Sequence, residues 1–171
     1  MRHDPRVRVR MAVAADLPAI RGLYNALIPT TTVAWTEELE TAEQREAWFA
    51  EQQSNGFPVL VAEDDGTVVG YAAYGWFRSD GRWPGYDLTV EHSIHVAESH
   101  WSRGVGRALL EELMARARQA GLHVMVAAVD AANADSIAFH ERLGFSVVAR
   151  MPEVGRKFDR WLDLVLLQRI L

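Results

Sequence analysis

The stretch Trp101–Gly121, WSRGVGRALLEELMARARQAG, decides how the rest of the chain is read. Leu109, Leu110, Leu113, Met114 and Ala117 recur at helical spacing, which predicts an amphipathic helix stopped by Gly121. Yet Gly104 and Gly106 stand at its mouth, and glycine costs roughly 1 kcal/mol relative to alanine inside a helix. Two physical reasons compete. A tight turn from a strand into a helix can require a positive φ, which glycine adopts freely. Alternatively, missing side chains let a phosphate reach the free N–H groups of the first turn, where the helix dipole also favours negative charge. Arg103 and Arg107 flank the pair and tilt the balance towards phosphate.

Working outward, YDLTVEHSIHV (Tyr86–Val96) reads as the strand before this helix. HVMVAAV (His123–Val129), a nearly unbroken apolar run, reads as a strand buried on both faces after it. NADSIAFHERLG (Asn133–Gly144) is a short glycine-stopped helix, and FSVVAR (Phe145–Arg150) and RWLDLVLLQ (Arg160–Gln168) are two last strands. Towards the start, VRVRM (Val7–Met11) alternates as a strand does. A helix follows with Leu17, Ile20, Tyr24 and Leu27 on one face, Asp16 as its cap and Pro18 in its first turn. Thr41 and Gln44 stand at capping-box spacing and open a second helix, TAEQREAWFAEQQ. FPVLVAE (Phe57–Glu63) and VVGYAAYG (Val68–Gly75) are strands joined by a turn over Asp64-Asp65-Gly66-Thr67. WFRSDGRWPG (Trp76–Gly85) is a loop. The sum is one mixed α/β domain over residues 1–171, with strands outnumbering helices.

Composition narrows the function classes. The net charge is −5, from 18 Lys+Arg against 23 Asp+Glu, which argues against a nucleic-acid backbone as partner. With 0 cysteines there are no disulfides, thiolate metal sites or Cys nucleophile. No apolar stretch reaches the ~18 residues of a membrane span, and no secretory start is visible, so a cytoplasmic location without membrane partners is expected. A P-loop is excluded because no Lys-Ser/Thr follows the glycines. A dinucleotide fingerprint needs a third glycine where Leu109 stands, although Asp130 ends the next strand where a ribose-binding acid could sit. Glu91, His92, His95 and His100 invite a metal reading. His92 and His95 fall on opposite faces of a strand, and Glu91 with His95 makes too few ligands for a catalytic zinc, so no metal is expected.

SRGVGRALL, after a strand and followed by NADSIAFHERLGF, resembles the GNAT superfamily of acetyl-CoA-dependent N-acyltransferases, whose pyrophosphate loop has the form Q/R-x-x-G-x-G/A. TVEHSIHV and EVGRKFDRWLDLVLLQ are similar to the branch acting on phosphinothricin, methionine sulfone and methionine sulfoximine. The resemblance runs from about Val7 to Leu167. It departs from the pattern at Trp101, which fills the Gln/Arg slot; Arg103 or Arg107 compensates, or coenzyme affinity is weaker.

The fold implied is a strongly twisted mixed sheet of six to seven strands flanked by about four helices, its central strands splayed to admit the pantetheine arm. Acetyl-CoA as cosubstrate would be held by Ser102, Arg103, Gly104, Val105, Gly106 and Arg107, and by N–H groups of Ile94, His95 and Val96. Asn133 would bond the pantetheine amide, with Ser136 near the phosphate end. Homodimers are implied.

Acetyl transfer needs loss of a proton from the ammonium, stabilisation of an oxyanion and protonation of the departing thiolate. A regular strand puts Thr89, Glu91, Ser93 and His95 on one face and Val90, His92, Ile94 and Val96 on the other. Glu91, a carboxylate amid β-forming residues, is either paired with a buried cation or is the base, acting through water or with a burial-raised pKa. The relatives' glutamate at this place is the proposed base. His140 matches the residue that donates to the thiolate, or it is a packing histidine. Arg78 is the natural clamp for a substrate carboxylate, with Arg82 second, and Phe77, Ser79, Tyr86, Thr89 and Val90 complete the pocket. Trp35 is a candidate lid.

The small amine is the expected substrate. A protein N-terminus, as for ribosomal-protein acetyltransferases, is the first alternative, and a non-catalytic coenzyme-binding module is the second. The compact arginine-lined loop argues against the first, and the presence of both Glu91 and His140 against the second.

Overall fold

The computed structural model describes residues 7–78 and 83–171. Seven strands form one mixed sheet: β1 (Val7–Met11), β2 (Val59–Asp64), β3 (Thr67–Trp76), β4 (Thr89–Val96), β5 (Val124–Asp130), β6 (Ser146–Lys157) and β7 (Arg160–Ile170). Four α-helices join them: α1 (Leu17–Leu27), α2 (Ala42–Ser54), α3 (Val105–Gln119) and α4 (Ala134–Arg142). The order across the sheet is β1-β2-β3-β4-β5-β7-β6. Among the described residues only β4 and β5 run parallel, as expected of strands joined by the α3 crossover.

Each face of the sheet has its own core. On one, α3 buries Val105, Leu109, Leu110, Leu113, Met114 and Ala117 against Leu60, Ala72, Tyr74, Val90 and Met125, and the residues flanking α4 add Leu143 and Phe145. On the other, α1 and α2 bury Leu17, Ile20 and Phe49 against Val59, Val61, Tyr71 and Ala73. The periodicity read from the sequence therefore locates both helix faces correctly. The α2 capping box forms as expected: Thr41 Oγ1 accepts from Gln44 N–H, and Gln44 Oε1 accepts from Thr41 N–H.

Three local expectations are corrected. Asp16 does not cap α1; its carboxylate takes two hydrogen bonds from Arg10, at 2.7 and 2.9 Å, and one from Val13 N–H. A charge-assisted fork outcompetes a single helix-end N–H. The fourth strand begins at Thr89 rather than Tyr86, because Pro84–Tyr86 forms a 3-10 turn. The sixth strand runs on to Lys157, through irregularities at Val147/Ala149 and Met151/Gly155. It returns through Phe158 and Asp159, both at positive φ (51° and 57°), a turn whose twist suits a two-residue hairpin.

The parting of β4 from β5 positions the site. These strands pair only from Thr89↔Val124 to Glu91↔Val126. Beyond Glu91, β4 stays on β3, while β5 follows β7 as far as Asp130↔Leu164. The β5-side edge of residues 92–96 therefore lacks a neighbouring strand.

Candidate active site

Gly104 and Gly106 turn out to do different jobs. Gly104 is the residue before α3 and sits at φ 85°, a left-handed conformation that glycine adopts without strain. Gly106 has no such need. A Cβ there would meet Phe139 Cζ at 3.4 Å and Ile94 Cδ1 at 3.8 Å, ordinary contact distances. What its missing side chain leaves is access to the helix end. The first intrahelical bond is Ala108 N–H to Gly104 C=O, so the N–H groups of Val105, Gly106 and Arg107 have no helical partner. The turn reading thus holds at Gly104, and the open helix end at Gly106 is compatible with the phosphate reading.

The approach to this helix is braced. Ser102 is at φ 59°. His100 Nε2 lies 3.1 Å and Arg103 Nη2 3.5 Å from the same Asp64 oxygen, tying the loop to the β2–β3 turn. Arg107, the other flanking arginine, pairs with Glu111 one turn along, an exposed contact weak enough to exchange for a ligand. Trp101 is the residue that sequence reasoning undervalued. Its indole Nε1 donates to Val96 C=O at 2.8 Å, so it couples the loop to the free end of β4 while more than half of it stays exposed. Only its place in the Gln/Arg slot signalled it.

Glu91 lies at the last β4–β5 pair, half-buried. Its carboxylate makes no hydrogen bond or ion pair among the described residues, so the paired-cation explanation for its position is absent there. Burial raises its pKa above the usual carboxylate range. On the same face, His95 packs its ring against Tyr71 (5.0 Å) and Tyr24 (5.7 Å), and burial pushes its pKa down to about 4. His95 can therefore contribute only backbone to a ligand on the splayed edge.

His140 is on the opposite face. It is buried, and its Nδ1–H donates to Ser136 C=O at 2.7 Å, which fixes the tautomer and leaves Nε2 bare and without a partner. Burial lowers its pKa. Its ring lies 5.1 Å from that of His92, whose two ring nitrogens also lack partners. Asn133 has a role beyond the one expected: its Oδ1 caps α4 by accepting from Ser136 N–H, which leaves the Nδ2 donor for a ligand. Asp130 Oδ1 accepts from Ala132 N–H in the turn before α4, so half of the carboxylate considered for a ribose is spent locally.

The expected acceptor residues divide. Phe77 and Tyr86 meet edge to face at 6.1 Å, and the exposed Arg78, at φ 55°, lies 6.0 Å from the Tyr86 ring centre. Thr89 is half-buried on the Glu91 face. Val90 is corrected: it is fully buried in the α3-side core, on the far face of β4 from Glu91, and its side chain cannot line a pocket with that carboxylate. Ser79 and Arg82 lie outside the described residues. Trp35, the candidate lid, packs against Gly155 of β6.

The sequence profile described as "Acetyltransferase (GNAT) family" matches residues 20–145. An L-methionine sulfoximine/L-methionine sulfone acetyltransferase of Pseudomonas aeruginosa is 47% identical over 161 residues, covering 94% of this chain and 92% of that protein. A phosphinothricin N-acetyltransferase of Alcaligenes faecalis is 36% identical, over 94% of this chain and 81% of its own. Among solved structures, that of yncA from Salmonella typhimurium with its cofactor acetyl-CoA superposes with a TM-score of 0.92 at 44% identity, covering 97% of this chain and 94% of that one.

Proposed function

Because the chain belongs to the acetyltransferase (GNAT) family, we propose that it transfers the acetyl group of acetyl-CoA to the α-amine of a small amino acid analogue of the methionine sulfone, methionine sulfoximine or phosphinothricin type. The observation that carries the chemistry is Glu91: an unpartnered, half-buried carboxylate at the point where β4 and β5 separate. The names of the similar proteins support the substrate class.

The residues present fit the coenzyme. The unpartnered N–H groups of Val105, Gly106 and Arg107 suit a pyrophosphate. The unpaired edge of residues 92–96 suits the amides of pantetheine, which would bond there as an added strand. Asn133 Nδ2 is a further donor on the α4 side. Acetyl-CoA, when bound, supplies the activated acetyl group. Glu91 takes a proton from the substrate ammonium, directly or through water; its raised pKa narrows the gap to the amine and makes it a better base than an exposed glutamate. His140 is neutral at rest, with its one ring proton on Nδ1 and committed to Ser136, so its bare Nε2 can help the thiolate leave only by relaying a proton that it first takes up; its share is therefore smaller than that of Glu91. Arg78 holds the substrate carboxylate.

Two measurements test this reading. Acetyl-CoA is expected to raise the melting temperature, since a ligand at a hundred times its Kd adds about 2.7 kcal/mol, while NAD does nothing. The protein is then offered L-methionine sulfone, L-methionine sulfoximine, L-phosphinothricin and a peptide with a free N-terminus, with thiol release followed. At least one of the three analogues should outrun the peptide in kcat/KM. A faster peptide would move the assignment to protein N-termini, and silence from all three analogues would remove the substrate class.

The chain is also proposed to act as a cytoplasmic homodimer. β6 is an edge strand exposing Val147, Val148, Met151 and Val154, an apolar edge of the kind that soluble proteins cover. Among the described residues no helix is long and apolar enough to cross a membrane. Sedimentation at micromolar concentration should show a species of twice the chain mass. Val148→Lys should shift it to one chain mass, and a wild type already sedimenting as single chains would count against assembly.

A further inference from the structure

The far end of the β6–β7 hairpin is tied to the segment after α1, at the other end of the sequence. Lys157 is buried, and its Nζ donates to the carbonyls of Ile28, Thr31 and Ala34, each at 2.7 Å. Three acceptors match the three donors of an ammonium. The first carbonyl belongs to the C-cap residue of α1, whose last turn carries no basic residue of its own. Lys157 thus brings a cation to the negative end of that helix from more than a hundred residues away. Gly155, on the same face of the strand, receives the ring of Trp35: a Cβ there would run into two of its ring carbons, so no side chain fits. Phe158 N–H adds a bond to Glu37 Oε1 at 3.1 Å.

A buried ammonium needs a reason. Burying a lysine costs more than burying a methionine of similar shape, and the cost is offset only where all its donors are met. Here they are met by main-chain carbonyls, which fixes the path of the backbone from Ile28 to Ala34. That path matters because of where it lies. Tyr24 of α1 packs on His95, so α1 ends over β4 on the Glu91 face. The hairpin end, Lys157↔Arg160, stands beyond Asp130↔Leu164, the last β5–β7 pair. Residues 28–34 therefore curl round the Lys157 ammonium, joining the end of α1 over β4 to the end of the β6–β7 hairpin, on the side where β4 leaves β5.

We infer that Lys157 is a positioning residue for the amine substrate: it fixes residues 28–37 as a wall of the acceptor site and sets acceptor affinity while leaving acetyl-CoA binding alone. The inference rests on the acetyltransferase reading above. It accounts for the GRKF segment, which the chemistry at Glu91 and at the α3 end does not use.

The test is Lys157→Met, which keeps the aliphatic stem and removes the charge. Gly155→Ala, which pushes Trp35 away with the ammonium intact, serves as an independent second variant should the first fail to fold. Two readouts are taken. Amide hydrogen exchange over residues 29–37 should speed up about tenfold or more, with β4 and α3 unchanged. Acceptor KM should rise about tenfold or more, while the acetyl-CoA Kd stays within about twofold. Unchanged exchange in a folded variant would overturn the clamp. Faster exchange with an unchanged acceptor KM, or a parallel loss of acetyl-CoA affinity, would overturn the acceptor-wall role. If the wild type acetylates none of the amines offered, the substrate reading fails separately, and the exchange measurement alone decides whether Lys157 holds the segment.

Discussion

Gly106→Glu is expected to bind acetyl-CoA about a hundredfold more weakly than the wild type while folding at least as well. The two halves of this expectation have different causes. Gly106 is the second residue of α3 and is not among the glycines at positive φ, so a side chain is conformationally allowed there. Its Cβ would find only ordinary contacts with Phe139 and Ile94. Glutamate is also the better helix former, by up to about 1 kcal/mol, and a negative charge in a first helical turn is favourable. The unliganded protein should therefore melt at the same temperature or slightly higher. The same carboxylate stands where the pyrophosphate would bond the free N–H groups. Two like charges about 4 Å apart near a protein surface repel by roughly 4 kcal/mol before screening, and a loss of about 2.7 kcal/mol is a hundredfold. Calorimetric titration of the folded variant checks the first half and a thermal melt the second. Unchanged affinity would mean that the phosphates lie elsewhere. Gly104→Ala makes the useful contrast: at φ 85° it should cost stability through strain, with a smaller effect on affinity per molecule folded.

The helices and their buried faces were legible because they depend on local period: Leu109, Leu113 and Ala117 meet the sheet whatever the rest of the chain does. The Thr41/Gln44 box was legible for the same reason, since both partners lie within one turn. Asp16 escapes a helix-cap reading because Arg10, six residues before it, offers its carboxylate a stronger partner than the helix end, and Arg10 is itself held across the sheet by Glu63 of β2. Val90 shows the limit of a residue list drawn from a motif: strict alternation already put it opposite Glu91, and the structure buries it there. The β6 strand was read short because it is exposed on both faces, so no alternation marks its middle, and its irregular pairing breaks the period further. Lys157 was out of reach altogether. Its partners are backbone carbonyls, which every residue carries, and nothing in the identities of Ile28, Thr31 and Ala34 announces them.

Glu91→Gln should lower kcat by about a hundredfold or more, the usual scale for losing a general base, with acetyl-CoA affinity unchanged. The amide keeps the shape of the side chain and removes its capacity to accept a proton. The pH dependence separates this role from a structural one. Burial holds the Glu91 pKa above the ordinary carboxylate range, so the wild-type rate should climb with pH as the group ionises and then level off. In the Gln variant that rising limb should vanish, leaving a flat, low profile. Stability should move the other way. Between the ordinary carboxylate pKa and the raised one, the folded state holds the proton more often than the unfolded state. Stability therefore falls as pH rises through that window, and the whole penalty is present above it. Glu91→Gln removes the penalty and should melt no lower than the wild type at pH ~8. A glutamate placed to neutralise a buried cation would behave oppositely, its loss lowering the melting temperature. His140→Asn supplies the scale: its bare Nε2 and lowered pKa make it a weaker contributor, so its kcat should fall less than that of Glu91→Gln. Wild-type turnover by Glu91→Gln from pH ~6 to ~9, or a His140→Asn deficit larger than the Glu91→Gln one, would move the proton-transfer step away from β4 and onto the α4 face.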